Sequence, residues 1–100
     1  MKAWKFLDNS SKWTQGESAR DLNGNKTDPF SPDAVCWCLY GLVNKCYHKE
    51  DGTDDELFDV LLEIDRHVIK RHNKVWGYQW NDAPERTWED VRNLLKELDI

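Results

Sequence analysis

No part of this 100-residue chain is apolar for long enough to span a membrane. Its opening, "MKAWKFLDNSSKW", is too polar for a secretory signal. Both observations lead us to expect a cytoplasmic protein in a reducing cell. Cysteine is scarce and odd in number, three in all, so there is no disulfide framework to read. Proline occurs three times and glycine five, and neither gathers into a linker. Repeats and low-complexity tracts are missing too. Residues 1–100 are therefore expected to form a single domain. Basic charge is missing where a nucleic-acid surface would need it. Residues 50–65, "EDGTDDELFDVLLEID", hold eight acids and no Lys or Arg, and the net charge is −5. Such a face repels phosphate backbones, which excludes nucleic-acid binding driven by charge. A basic protein surface is the expected partner.

What the chain does have is tryptophan, six residues in 100. Each ring buries a large apolar area, so few residues can close a small core. An oligomer that covers surplus rings is one further option. Three amphipathic helices can be read. The first opens at Ser31, with Pro32 at the first helical position and Asp33 in the first turn, and is expected over 31–47. The second opens at Thr53, whose spacing to Glu56 fits a capping box, and ends near His72 and Asn73. Leu57, Leu61, Ile64 and Val68 form its stripe, widened by Phe58 and Leu62. The last opens at Thr87 with Asp90 three residues on, and buries Val91, Leu94, Leu95 and Leu98. A short helix over 2–9 precedes them. Asn23-Gly24 marks a hairpin of 17–22 with 25–28. "KVWGYQW" reads as a strand or extended connector. In that form Trp76, Tyr78 and Trp80 share one face, either a lid on the core or a ligand platform, of which the lid is preferred. The fold class is mostly α (α+β), a compact bundle of three helices plus small additions.

The cysteines fall together in "SPDAVCWCLYGLVNKCYHKE". A zinc site would gather Cys36, Cys38, Cys46 and His48 around one ion. On a helix, Cys36 and Cys38 lie about 200° apart, and Cys38 and Cys46 about 12 Å apart along the axis. No metal and no cofactor is therefore expected. A nucleophile needs a base in reach, and no local signature ties His48, His67 or His72 to a thiol. The preferred reading is a core stripe of Val35, Cys38, Leu42 and Cys46. Gly41 inside that helix costs about 1 kcal/mol relative to Ala, which a close crossing by another element would explain.

Three blocks come in order: "WTQGESARDLNG", "SPDAVCWCLYGLV" and "WNDAPERTWEDVRNLL". Together they resemble the bacterial and phage family known as the domain of unknown function 6197, over about residues 13–95. The resemblance implies a bacterial cytosol, with a phage or prophage as a source, and carries no activity. Two departures stand out: Leu42 follows Gly41 where Ala is expected, and the segment before Trp13 is short.

The polar pieces of those blocks are Arg20-Asp21 and Asn81-Asp82. They can serve as a ligand site or as turn caps and ion pairs, Arg20 with Asp82 for example. The acidic run offers Asp54, Asp55, Asp59 and Glu63 as a docking face, with a solvated surface as its plain alternative. The leading expectation is a non-enzymatic interaction module, such as an inhibitor that docks on a basic host protein. The competing one is a small enzyme or ligand binder using Arg20, Asp21, Cys38, Asn81 and Asp82.

Overall fold

The computed structural model describes residues 1–72 and 75–100. In chain order its elements are α1 (Ala3–Phe6), a 3-10 turn (Ser10–Lys12), β1 (Ala19–Arg20), β2 (Cys36–Trp37), α2 (Leu39–Tyr47), α3 (Asp55–Arg71), α4 (Gly77–Asn81) and α5 (Trp88–Glu97). The three longer helices, α2, α3 and α5, carry the bundle. Their buried faces are Leu39, Leu42 and Val43; Leu57, Val60, Ile64 and Val68; and Val91, Leu94 and Leu95. Ala3, Leu7, Ala19, Trp37 and Trp80 join the same cluster.

α5 starts as its sequence dictates. The Thr87 side chain accepts from Asp90 N–H at 3.2 Å, and the Asp90 carboxylate accepts from Thr87 N–H at 3.1 Å. That reciprocal pair satisfies two donors a helix start would otherwise leave open. α3 departs from expectation. Its N-cap is Asp54, not Thr53, and Thr53 instead donates to the Asp51 carboxylate. Only one apolar flank of α3 is buried: Val60 lies in the core, Leu61 is half-buried, and Phe58 and Leu62 face solvent at 64% and 48% exposure. The helix ends at Arg71; Asn73 and Lys74, which the sequence reading also covered, lie outside the described residues.

The largest correction concerns α2. The Ser31-Pro32-Asp33 signal makes a single turn, closed by Ala34 N–H to Ser31 O at 3.1 Å. The chain then extends, because Val35 N–H reaches Arg20 O at 2.9 Å and β2 pairs antiparallel with β1 in the register Ala19–Trp37 and Arg20–Cys36. Pairing with a distant strand outweighs a local start signal, and the helix begins only at Leu39. Val35 is consequently exposed, Cys38 is a cap, and of the expected stripe only Leu42 is fully buried, with Cys46 packed against the core.

The Asn23-Gly24 turn exists, with Asp21 N–H to Asn25 O at 2.9 Å and Thr27 N–H to Ala19 O at 3.0 Å. Of that pair only Gly24 takes positive φ, and the Asp21 carboxylate accepts the Asn23 and Asn25 N–H groups. The "KVWGYQW" segment is extended at Trp76 but turns helical from there: Gly77–Asn81 is a helix, Trp80 is buried, and Trp76 and Tyr78 are exposed. The α4 start is held from outside, by Gly77 N–H to the Asp65 carboxylate at 3.0 Å.

Gly41 meets the crossing its position implied. A β-carbon there would lie 1.9 Å from Ser18 O. Helix propensity alone makes Gly41→Ala stabilising by about 1 kcal/mol; the clash with backbone makes it destabilising by at least ~2 kcal/mol. Urea unfolding of the two proteins reads the sign directly.

Candidate functional site

Trp13 and Thr14 of the first sequence block, Leu39 of the second and Asp82 of the third meet around the side chain of Asn81, which is fully buried. Its Oδ1 accepts from Trp13 Nε1 at 2.8 Å and from Leu39 N–H at 3.0 Å. Its Nδ2 donates to Thr14 O at 3.3 Å and to Asp82 Oδ1 at 2.9 Å. Two donors on one side and two oxygens on the other fix the orientation of the amide. Gln15 Nε2 donates to Asn81 O and Ala83 O, at 2.8 and 2.9 Å. Gly16, at φ +84°, turns its N–H onto Asp82 Oδ1 at 3.0 Å. A left-handed residue there is natural only for glycine.

This brings Asn81 and Asp82 into one network with the first block, but Arg20 and Asp21 play other parts. Arg20 does not pair with Asp82. Its Nε reaches Thr14 Oγ1, and its terminal nitrogens reach the carbonyls of Gln15 and Gly24, all between 3.0 and 3.1 Å. Asp21 is used by its own turn. Both therefore brace loops, and the set of Arg20, Asp21, Cys38, Asn81 and Asp82 does not converge as one constellation.

Cys38 caps α2, its sulfur accepting from Gly41 N–H at 3.4 Å, while Asn81 serves the next open donor, Leu39 N–H. Burial pushes the Cys38 thiol up, and the nearby Asp82 charge adds to this against the helix N–H groups. Burial also raises the Cys46 thiol. The helical separation of Cys36 and Cys38 does not hold, because Cys36 lies in β2. Among the described residues no three His, Cys, Asp or Glu side chains are grouped to hold a metal ion.

Cys38 and Asp82 line a depression of about 270 Å³ with Gly16, Glu17, Ser18, Tyr40 and Tyr78. The sequence reading missed this concavity, because its walls come from three separate segments, Tyr40 carried no motif and Tyr78 was grouped with Trp76 and Trp80. It also missed a cleft between α3 and α5 that includes His67, Arg71, His72, Trp80 and Arg86. There Arg86 stacks on Trp80 at 4.2 Å, and His72 is held below its ordinary value by burial and by Arg86, His67 and Arg71.

The acidic run divides. Asp54 turns inward, accepting from Lys49 N–H at 3.0 Å and pairing with His48 Nδ1 at 3.2 Å. Asp55, Asp59 and Glu63 are exposed on the outer face of α3. No ion pair among the described residues involves them.

Fold and site define a small, mostly helical α+β domain whose distant segments are joined through a buried carboxamide. The chain belongs to the family of unknown function DUF6197, which it matches over residues 2–98. Neither a curated protein nor a solved structure matches it. No helix among the described residues is long and apolar enough to cross a membrane.

Two outcomes test this site. Asn81→Ala strands the Trp13 and Leu39 donors and lowers stability by about 3 kcal/mol, whereas Asp21→Ala, at an exposed turn, costs about 1 kcal/mol; thermal unfolding of both variants gives the comparison. With their thiols raised by burial, Cys38 and Cys46 hold less thiolate than free cysteine at neutral pH. Alkylation of the folded protein near neutral pH is therefore slow at both, speeds up as pH rises, and becomes fast in urea, as mass spectrometry of the labelled peptides reports.

Proposed function

We propose that the chain is a non-enzymatic protein-interaction module that docks the outer face of α3 on a basic protein surface. The observation that carries this reading is the composition of that face. Asp55, Asp59 and Glu63 are exposed, and exposed Phe58 and Leu62 lie on the helical row beside them. Carboxylates steer a basic partner into encounter, and the two apolar side chains supply surface to desolvate once contact is made. Like charges four residues apart cost a helix roughly 0.2 to 0.5 kcal/mol per pair, a repulsion that a cationic partner relieves. Three of the polar residues that would serve an enzyme are meanwhile engaged internally: Asn81 in tertiary hydrogen bonds, Arg20 in bonds to its neighbouring loops and Asp21 in its turn.

The bacterial and phage setting that the family resemblance implies narrows the partner. A basic component of a host nucleic-acid-handling defence complex suits an acidic, phage-borne domain, and occupying its basic surface would block it. Direct binding to nucleic acid is not part of this proposal, since the docking face carries the same sign as the phosphate backbone.

Affinity capture from the native host at low and high salt, with the wild type and a variant carrying Asp55→Lys, Asp59→Lys and Glu63→Lys, is the test. The wild type is expected to hold its partner at low salt and release it at high salt. The variant loses about tenfold or more in affinity, with Phe58→Ala adding to the loss. Unchanged affinity after reversal of all three charges would remove the docking face.

A further inference from the structure

We propose that the depression between residues 16–18, the start of α2 and α4 is a receptor for one arginine side chain of the partner protein. This rests on the reading of the chain as a module for a basic protein, and it adds a second, separate point of contact.

The cavity holds about 270 Å³. That is below the range of pockets that enclose small-molecule ligands, and on the scale of the end of one long side chain. Its walls are chemically one-sided. Tyr40 and Tyr78 supply aromatic rings with centroids 6.2 Å apart and planes inclined at 58°. Glu17 and Asp82 supply two carboxylates, and among the described residues no Lys, Arg or His lines the cavity. Asp82 Oδ1 is taken by Gly16 N–H and Asn81 Nδ2. Asp82 Oδ2 and the Glu17 carboxylate have no hydrogen-bond or ion-pair partner among the described residues. Arg20, close to Gly16, is committed to Thr14, Gln15 and Gly24 and does not line the cavity.

The walls are also held in place. The Tyr40 hydroxyl donates to the Asp65 carboxylate, which accepts Gly77 N–H as well and so ties the ring to the start of α4. Asp82 follows Asn81 at the end of α4 and is aimed by the Gly16 N–H. A held ring at Tyr40 and a held open acceptor at Asp82 reduce the ordering cost of binding. A planar, weakly hydrated guanidinium that stacks on a ring and donates in its plane to a carboxylate uses both kinds of wall at once. An ammonium group uses them less fully, which is why arginine is the class chosen over lysine.

The probe is N-acetyl-arginine amide, titrated into the full chain and followed by amide NMR. Its neutral isostere N-acetyl-citrulline amide and N-acetyl-lysine amide are run beside it. The expected result is saturable shifts confined to Gly16, Ser18, Tyr78 and Asp82, weaker with lysine, absent with citrulline, and reduced by salt. Asp82→Asn retains the Oδ1 that accepts Gly16 and Asn81, so the fold is kept, and it weakens the probe about tenfold. Glu17→Gln, at a side chain with no internal partner, gives a second measure of the same loss. Equal response to citrulline, shifts only on the outer face of α3, or no response in any arm would overturn the proposal. The α3 triple reversal leaves the probe response intact, so failure of this pocket and failure of the α3 face are read separately.

Discussion

One buried carboxamide holds this small domain together. Asn81 has four hydrogen bonds to four different residues, and its partners come from the segment after α1, from the start of α2 and from its own helix end. No run of local structure joins these pieces. β1 and β2 have two residues each, and α4 has five. Elements so short are not stable by themselves in water. A fully satisfied polar hub suits this place better than an apolar contact would. It demands particular partners at particular distances, and a shifted register would leave a buried amide or indole N–H unpaired at a cost of about 1–3 kcal/mol each. Hydrophobic burial supplies most of the stabilisation, and the carboxamide selects which compact arrangement receives it.

The same economy of short elements explains the α2 start. Helix propensity, Pro32 and Ser31 all favoured an earlier beginning, and all are local. Against them stand three non-local bonds to the first block: Val35 N–H to Arg20 O, Cys38 N–H to Ser18 O at 3.2 Å, and Thr14 N–H to Trp37 O at 3.0 Å. The strand then delivers Cys38 as a cap and Gly41 beneath Ser18, where only a residue without a side chain fits. Gly41 was legible in the sequence as a close crossing because a mid-helix glycine is costly and calls for a reason. What crossed it was not legible, since Ser18 carries no signal that names its partner.

Legibility follows range throughout. The α5 start could be read because Thr87 and Asp90 complete each other within one turn. α4 could not, because its start is tied to Asp65 and its end is Asn81, while its own residues alternate like a strand. Phe58 and Leu62 were read as core because they extend an apolar stripe at helical spacing. The stripe of α3 is wider than the surface its neighbours cover, and the surplus was left in water. The polar blocks were recognised as important, yet whether they were structural or chemical depended on distances. Those distances engage Arg20, Asp21 and Asn81 in internal hydrogen bonds. The depression beside them stayed hidden because Gly16, Glu17, Tyr40 and Tyr78 are ordinary residues until folding brings them together.

Two surfaces of like sign then remain, the outer face of α3 and the depression at Asp82, and they differ in what they can contribute. The α3 face is exposed, so in the proposed docking its charges would act mainly over distance and would be screened within about a Debye length, roughly 8 Å at physiological salt. It suits capture, and it discriminates weakly between basic partners. The depression is small, with the Tyr40 ring and the Asp82 carboxylate placed by hydrogen bonds. It suits selection, since a guanidinium fits both its stacking and its hydrogen-bonding demands and an ammonium fits only its charge. Specificity is a difference of affinities, and a domain this acidic meets many cations. A rigid pocket keyed to the Asn81 network would let it tell a particular basic surface from the rest, and would couple that discrimination to the same hydrogen bonds that hold the fold.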